Sequence, residues 1–148
     1  MVITHQLDET IEFGRKLGQR LRPGDVIALR GNLGIGKTQL VHGIAQTYLG
    51  APTHVCSPSF TIINRYDANG RAISTLEELE STGYWDAIED PNALVLIEWL
   101  EQVDRAQPIE FVTIDMNFAD DSDLSTSART FALLGHGELY ERLAPLFA

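Results

Sequence analysis

One stretch, Gly31-Asn32-Leu33-Gly34-Ile35-Gly36-Lys37-Thr38, constrains this chain more than any other. It fits the pattern G-x-x-x-x-G-K-[ST], with an apolar run at residues 26–29 before it and helical apolar spacing after it. Successive backbone N–H groups can converge on phosphate only where no Cβ obstructs the tight turns, and glycine permits both the close approach and positive φ. The free N–H groups and dipole of a helix starting near Lys37 add attraction for negative charge. The pattern predicts a nucleoside triphosphate with Mg2+ as ligand. Leu33, Gly34, Ile35 and Gly36 would line the cradle, Lys37 would reach the β- and γ-phosphates, the Thr38 hydroxyl would hold the metal, and the Gln39 backbone would meet the α-phosphate. A dinucleotide fingerprint does not fit, because the glycines run G-x-x-G-x-G instead of G-x-G-x-x-G.

The remaining elements follow from hydrophobic period and turn chemistry. Residues 2–4 form a short strand, and Asp8 or Thr10 caps a helix whose apolar positions Ile11, Phe13, Leu17 and Leu21 share one face. Leu40, Val41, Ile44, Ala45 and Leu49 mark a second helix over residues 37–49, stopped by Gly50 and Pro52. Residues 60–66 and 71–73 read as strands around the turn Asp67-Ala68-Asn69-Gly70. Short helices are expected at 76–79 and 84–88, strands at 93–97, 111–116 and 128–134, and a C-terminal helix carrying Leu139, Tyr140 and Leu143. With no repeat or linker, residues 1–148 are expected to form a single α/β domain with a central, mainly parallel sheet flanked by helices, the architecture of a P-loop NTPase.

Composition excludes several functions. The single cysteine, Cys56, allows no internal disulfide and no thiolate metal site, and the four histidines show no metal-ligand spacing. Residues 1–50 carry a net charge of +2 and residues 51–148 a net −12. Such an acidic surface repels phosphate backbones, which argues against direct, non-specific nucleic-acid binding. No apolar run approaches the ~20 residues needed to cross a bilayer, and the N-terminus lacks signal-peptide character, so a cytoplasmic address with no membrane association is expected.

A Mg2+-nucleotide site also needs a carboxylate at the end of a neighbouring strand. Glu98 follows the apolar run 93–97 and Asp115 follows 111–114. The first run is the more apolar, which favours Glu98 as the residue on a central strand, yet pattern alone leaves both open. Ser57 and Ser59, in Ser57-Pro58-Ser59-Phe60, fit either a switch-like contact to a γ-phosphate or a plain turn.

Arg30-Gly-Asn-Leu-Gly-Ile-Gly-Lys-Thr38, Ser57-Pro-Ser-Phe-Thr61 with Tyr66, Leu76-Glu-Glu-Leu79 and Leu96-Ile-Glu-Trp99 together resemble the TsaE (YjeE) family of bacterial tRNA threonylcarbamoyladenosine biosynthesis ATPases. The resemblance spans about residues 8–145. It implies a P-loop ATPase that binds ATP and Mg2+ and joins two partners, TsaD and TsaB, resetting that complex while TsaD modifies the adenosine beside the anticodon. The tRNA would meet this chain only through the complex. By position, Lys37 and Thr38 carry over as phosphate and metal residues. Glu98 carries over as the metal-side carboxylate, Trp99 as the aromatic beside the site, and Ser57 and Ser59 as the switch-like segment; Asp115 is then read as a structural or surface acid.

Three departures from the family pattern stand out. Asn32 replaces an aspartate and Ser59 a threonine. The family's H-x-D-x-Y-R segment, with its site aspartate, has no counterpart, because Arg71-Ala-Ile-Ser-Thr75 runs directly into Leu76-Glu77. About ten residues are missing against the family pattern, a strand and a carboxylate among them, and losing one placed charge from a phosphoryl-transfer site can cost ~100-fold in rate. Asp67, Glu77 and Glu78 are the acids available to substitute, and no spacing argument selects among them. The alternative to an ATPase is therefore a nucleotide-gated binding module with impaired hydrolysis. A small-molecule kinase is a third reading, opposed by the wide spacing of Arg65, Arg71, Arg105, Arg129 and Arg142, which suggests no arginine-rich lid.

Overall fold

The two most apolar runs of the sequence lie side by side at the middle of the fold. In a computed structural model that describes residues 1–32, 34–51, 63–76, 89–98, 110–119 and 128–148, β2 (Val26–Arg30) pairs in parallel with β5 (Ala93–Glu98). Residues Val26–Leu29 and Ala93–Ile97 are buried without alternation, as expected of parallel strands covered on both faces.

Around this pair the sheet runs β1 (Val2–Thr4), β7 (Arg129–Gly135), β6 (Val112–Phe118), β2, β5, β4 (Arg71–Leu76), β3 (Ile63–Ala68). The four central strands β6, β2, β5 and β4 are mutually parallel, and β7, β1 and β3 add antiparallel pairings at the margins. The expected α/β architecture thus holds, with the parallel character concentrated at the centre of a mixed sheet.

Helices α1 (Leu7–Arg20), α2 (Lys37–Tyr48) and α3 (Glu138–Leu143) share one core with one face of the sheet. Leu17, Leu40, Ile44 and Leu143 meet Ile27, Leu29, Leu94, Leu96, Ile114 and Phe131 there. Phe13 stacks on Phe131 and edge-on to Phe147, which follows in a 3₁₀ turn (Ala144–Phe147). Among the described residues no helix is long and apolar enough to cross a membrane.

Several local expectations need correction. The first helix begins at Leu7 with Gln6 at its N-cap, so neither Asp8 nor Thr10 caps it. Asp8 lies in the first turn, and the Thr10 hydroxyl bonds the Thr4 hydroxyl at 2.8 Å. The Glu9 carboxylate accepts the His5 N–H at 2.6 Å, which closes the turn from the side chain three residues into the helix. In the hairpin, Asp67 and Ala68 belong to β3, and the turn consists of Asn69 and Gly70 alone, both at positive φ (53° and 75°) as a two-residue primed turn requires.

The return strand expected at residues 71–73 is longer than its pattern indicated. Residues Arg71–Leu76 form a full strand, β4, hydrogen-bonded to β3 on one side and β5 on the other. Leu76 therefore ends a strand and does not open a helix. Residues 77–79 and the expected helix at 84–88 lie outside the described residues.

Candidate phosphate-binding site

All the parallel strands end on the same edge, and the glycine-rich loop crosses that edge between β2 and α2. Its glycines serve two different physical needs. At Gly31 the need is space: a Cβ would stand 2.8 Å from the Ile35 Cγ2 and 2.9 Å from the Met116 carbonyl oxygen. At Gly34 (φ 82°) and Gly36 (φ 108°) the need is conformation, for a Cβ there would meet no atom of the described residues within 4 Å. Both glycines therefore border space that the described residues leave open.

Gly36 is the N-cap of α2, and among the described residues no side chain caps that helix end. The first N–H groups of an α-helix have no intrahelical acceptor, so the start of α2 is an anion-binding terminus of the kind a phosphate satisfies. At the opposite end of α2, Asn69 Nδ2 donates to the Leu49 carbonyl at 2.7 Å and an Arg71 N–H to the Tyr48 carbonyl at 3.1 Å. Cation and amide sit at the negative end of the dipole, and the positive end opens on the loop.

Lys37 is buried, and its ammonium donates to the Gly31 carbonyl at 2.8 Å. Thr38 and Gln39 are half-buried in the first turn of α2. Ile35 is fully buried, and its N–H bonds the Asn32 carbonyl at 3.1 Å, closing the turn that holds Gly34.

Register and pleat separate the two candidate carboxylates. Glu98 is itself the last residue of β5, opposite Leu29, whose side chain belongs to the core beneath α2. Paired residues share a face, so Glu98 lies on the side that carries α2, at the strand end nearest the loop. Asp115 lies opposite Arg30, out of phase with the core residues Ile114 and Met116, and so on the other face. There Arg30 Nε donates to its carboxylate at 2.9 Å, and this bond holds the Asp115 pKa below its usual value against a smaller opposing effect of burial. Among the described residues, Thr38 in the first turn of α2 and Glu98 at the end of β5 are the sequence-expected oxygen donors that lie on the α2 side of this edge.

Of the possible substitute acids, Asp67 falls at the wrong end. It is level with Ala72, which is level with Ala93 at the start of β5, and it pairs with Arg65 at 3.2 Å. Five residues of extended chain, about 16 Å, separate Ala93 from the strand end that carries Glu98. Glu77, Glu78, Leu33, Ser57, Ser59 and Trp99 lie outside the described residues.

One residue reaches the loop that no sequence argument singled out for it. Arg129 opens β7, and its Nε donates to the Ile35 carbonyl at 3.0 Å while its guanidinium lies 4.3 Å from the centre of the Phe118 ring. The 94 residues between Arg129 and Ile35 hide the relationship from any local pattern.

Comparison with known proteins agrees in family and in fold. The family model for "Threonylcarbamoyl adenosine biosynthesis protein TsaE" matches residues 4–129. A tRNA threonylcarbamoyladenosine biosynthesis protein TsaE from Nostoc sp. is 32% identical over 135 residues, which cover 84% of this chain and 82% of that one. Its counterpart from Synechocystis sp. is 34% identical over 107 residues, covering 66% and 68%. The crystal structure of Bacillus subtilis YdiB superposes with a TM-score of 0.81 at 26% identity, covering 99% of this chain and 91% of that one.

Proposed function

The chain belongs to the TsaE family, and from that premise we propose that it is the ATP-binding P-loop subunit that supports threonylcarbamoyladenosine formation on tRNA, acting on a TsaD–TsaB complex through ATP binding and hydrolysis. The observation that carries the nucleotide reading is the loop itself: two positive-φ glycines, with space beside them among the described residues, lead into a helix that no described side chain caps and whose first residue is a buried lysine.

In this reading the N–H groups of Gly34 to Gln39 receive the phosphates. Lys37 exchanges the Gly31 carbonyl for phosphate oxygen, a stronger, charge-assisted partner. Thr38 and Glu98 would hold Mg2+, which when bound neutralises charge on the phosphates. Glu98 orients that cation or a water from the α2 side, and Asp115, engaged with Arg30 on the other face, supports the strand end.

A role without metabolite transfer fits the placement of the arginines. Among the described residues after the loop, Arg65 pairs with Asp67 and Asp90, Arg71 meets the C-terminal end of α2, and Arg142 pairs with Asp25. These three sit toward the edge away from the loop, and Arg129, which does reach the loop, is engaged there by the Ile35 carbonyl, so the described arginines present no kinase-like lid. The acidic stretch 51–148 suits a basic patch on a protein partner, with the tRNA held by that partner.

One observation favours a second reading, a nucleotide-gated module with slow hydrolysis. Residues Arg71–Leu76 fill the sheet position beside β5 without any carboxylate. ATP affinity and phosphate release measured together, with and without TsaD–TsaB, decide between the two for the parent, Lys37→Ala and Glu98→Ala. The ATPase reading expects release in the presence of partners, lost by about 100-fold or more in Glu98→Ala with binding retained. Binding without release selects the gated module, and absence of binding excludes both.

A further inference from the structure

We propose that Arg129 is a positioning residue for the phosphate loop, holding the Ile35–Gly36 peptide so that the Gly36 N–H is presented to an anion. The proposal deepens the nucleotide reading above and rests on it for the identity of the ligand. Three observations carry it. Arg129 Nε donates to the Ile35 carbonyl at 3.0 Å, which fixes the plane of that peptide from outside the loop. In a trans peptide the N–H points opposite to the C=O, and the peptide bonds of this chain include no cis isomer among the described residues. The Gly36 N–H is therefore directed away from Arg129, at the positive-φ N-cap of α2, beside space that the described residues leave open.

The arginine is itself braced. It is directly opposite Phe118 across the β6–β7 pairing, and its guanidinium lies over that ring. The hairpin continues one step further through the Ala119 N–H bonded to the Ala128 carbonyl at 3.1 Å. A planar cation resting on an aromatic face loses little further freedom when it binds a carbonyl. A charged donor on that carbonyl also polarises the peptide and strengthens its N–H as a donor to phosphate. Gly36 alone offers no such restraint, since glycine at positive φ has a broad choice of conformations. Among the described residues, Arg129 meets the loop at the Ile35 backbone carbonyl, and through that peptide it acts on Gly36.

The test uses the full chain and the variants Arg129→Ala, Arg129→Lys and Lys37→Ala, with ATP titration, thermal melting and the backbone amide resonance of Gly36 in nucleotide-free protein. Arg129→Ala is expected to shift the Gly36 amide resonance and weaken ATP binding about tenfold, the scale of one charge-assisted hydrogen bond. Arg129→Lys, which keeps a cationic donor over Phe118, is expected to recover most of that affinity and to melt within about 2 °C of the parent. An unmoved Gly36 resonance in Arg129→Ala overturns the proposal, and so does a moved resonance with unchanged ATP affinity. If the parent itself binds no ATP and Lys37→Ala is indistinguishable from it, the nucleotide reading fails. The Gly36 resonance then decides the role of Arg129 in shaping the loop by itself.

Discussion

Lys37 and Gly31, six residues apart, are joined by a 2.8 Å hydrogen bond from the ammonium to the carbonyl, so the glycine loop closes upon its own cation. The lysine is held inward at the head of α2, buried against the loop that its charge would serve. Replacing it by alanine removes a buried charge together with its partner's bond. Lys37→Ala is expected to lose ATP affinity by about 100-fold or more while the fold persists, measured by titration calorimetry alongside circular dichroism.

Gly31 makes a separate steric demand. An alanine there would press its Cβ on the Met116 carbonyl, which is fixed in the β6 backbone, as well as on the adaptable Ile35 side chain. Gly31→Ala should cost about 1–3 kcal/mol in urea unfolding and displace the loop relative to β6. Unchanged stability would mean that loop and strand separate more easily than the packing indicates.

The crossing of α1 and α2 depends on glycine in the same way. A Cβ on Gly43 would collide with the Ile11 carbonyl and stand 3.0 Å from Gly14 Cα, and a Cβ on Gly14 would stand 2.5 Å from the Leu40 carbonyl. Alanine is the better helix former by about 1 kcal/mol, yet backbone contacts leave nothing that can yield. Gly43→Ala is expected to destabilise by about 3 kcal/mol or more, read from the denaturant midpoint. A stabilised variant would refute this packing.

The Arg30–Asp115 pair carries a pH signature. Its hydrogen bond lowers the folded-state pKa of Asp115, so the pair's contribution is complete above the ordinary carboxylate pKa and disappears as pH falls through the depressed value. Arg30 is 42% exposed, which limits the contribution to about 1 kcal/mol through solvent screening. Asp115→Asn should therefore be less stable than the parent at pH 7 by that amount, and the difference should close in strong acid. A gap that widens toward low pH would contradict the assignment.

Arg142 binds Asp25 at 2.6 Å with both side chains largely buried, tying α3 to the turn that precedes β2. The Asp25 carboxylate also accepts the Arg22 N–H at 2.7 Å. Arg142→Ala leaves that acid without its cation, and a loss of about 2–4 kcal/mol is expected in chemical denaturation, with ATP affinity little changed because the pair is remote from the loop.

The glycine-rich loop, the strand before it and the helix after it were legible in the sequence because each is local: apolar run, positive-φ glycines and helical period occupy contiguous residues. The runs that became β2 and β5 were equally plain, since strands covered on both faces admit almost no polar residue. Two acids that follow apolar runs, Glu98 and Asp115, looked alike in sequence. Only register and pleat placed one on the α2 face and bound the other to Arg30. The return strand was legible only at residues 71–73, and hydrogen bonding on both sides extends it over Arg71–Leu76, because sheet pairing responds to neighbours and not to residue identity alone. Arg129 belongs wholly to the tertiary structure. Its charge is visible in the sequence, but antiparallel pairing beside Phe118 is what carries that charge to the Ile35 carbonyl, and no local pattern encodes a contact across 94 residues.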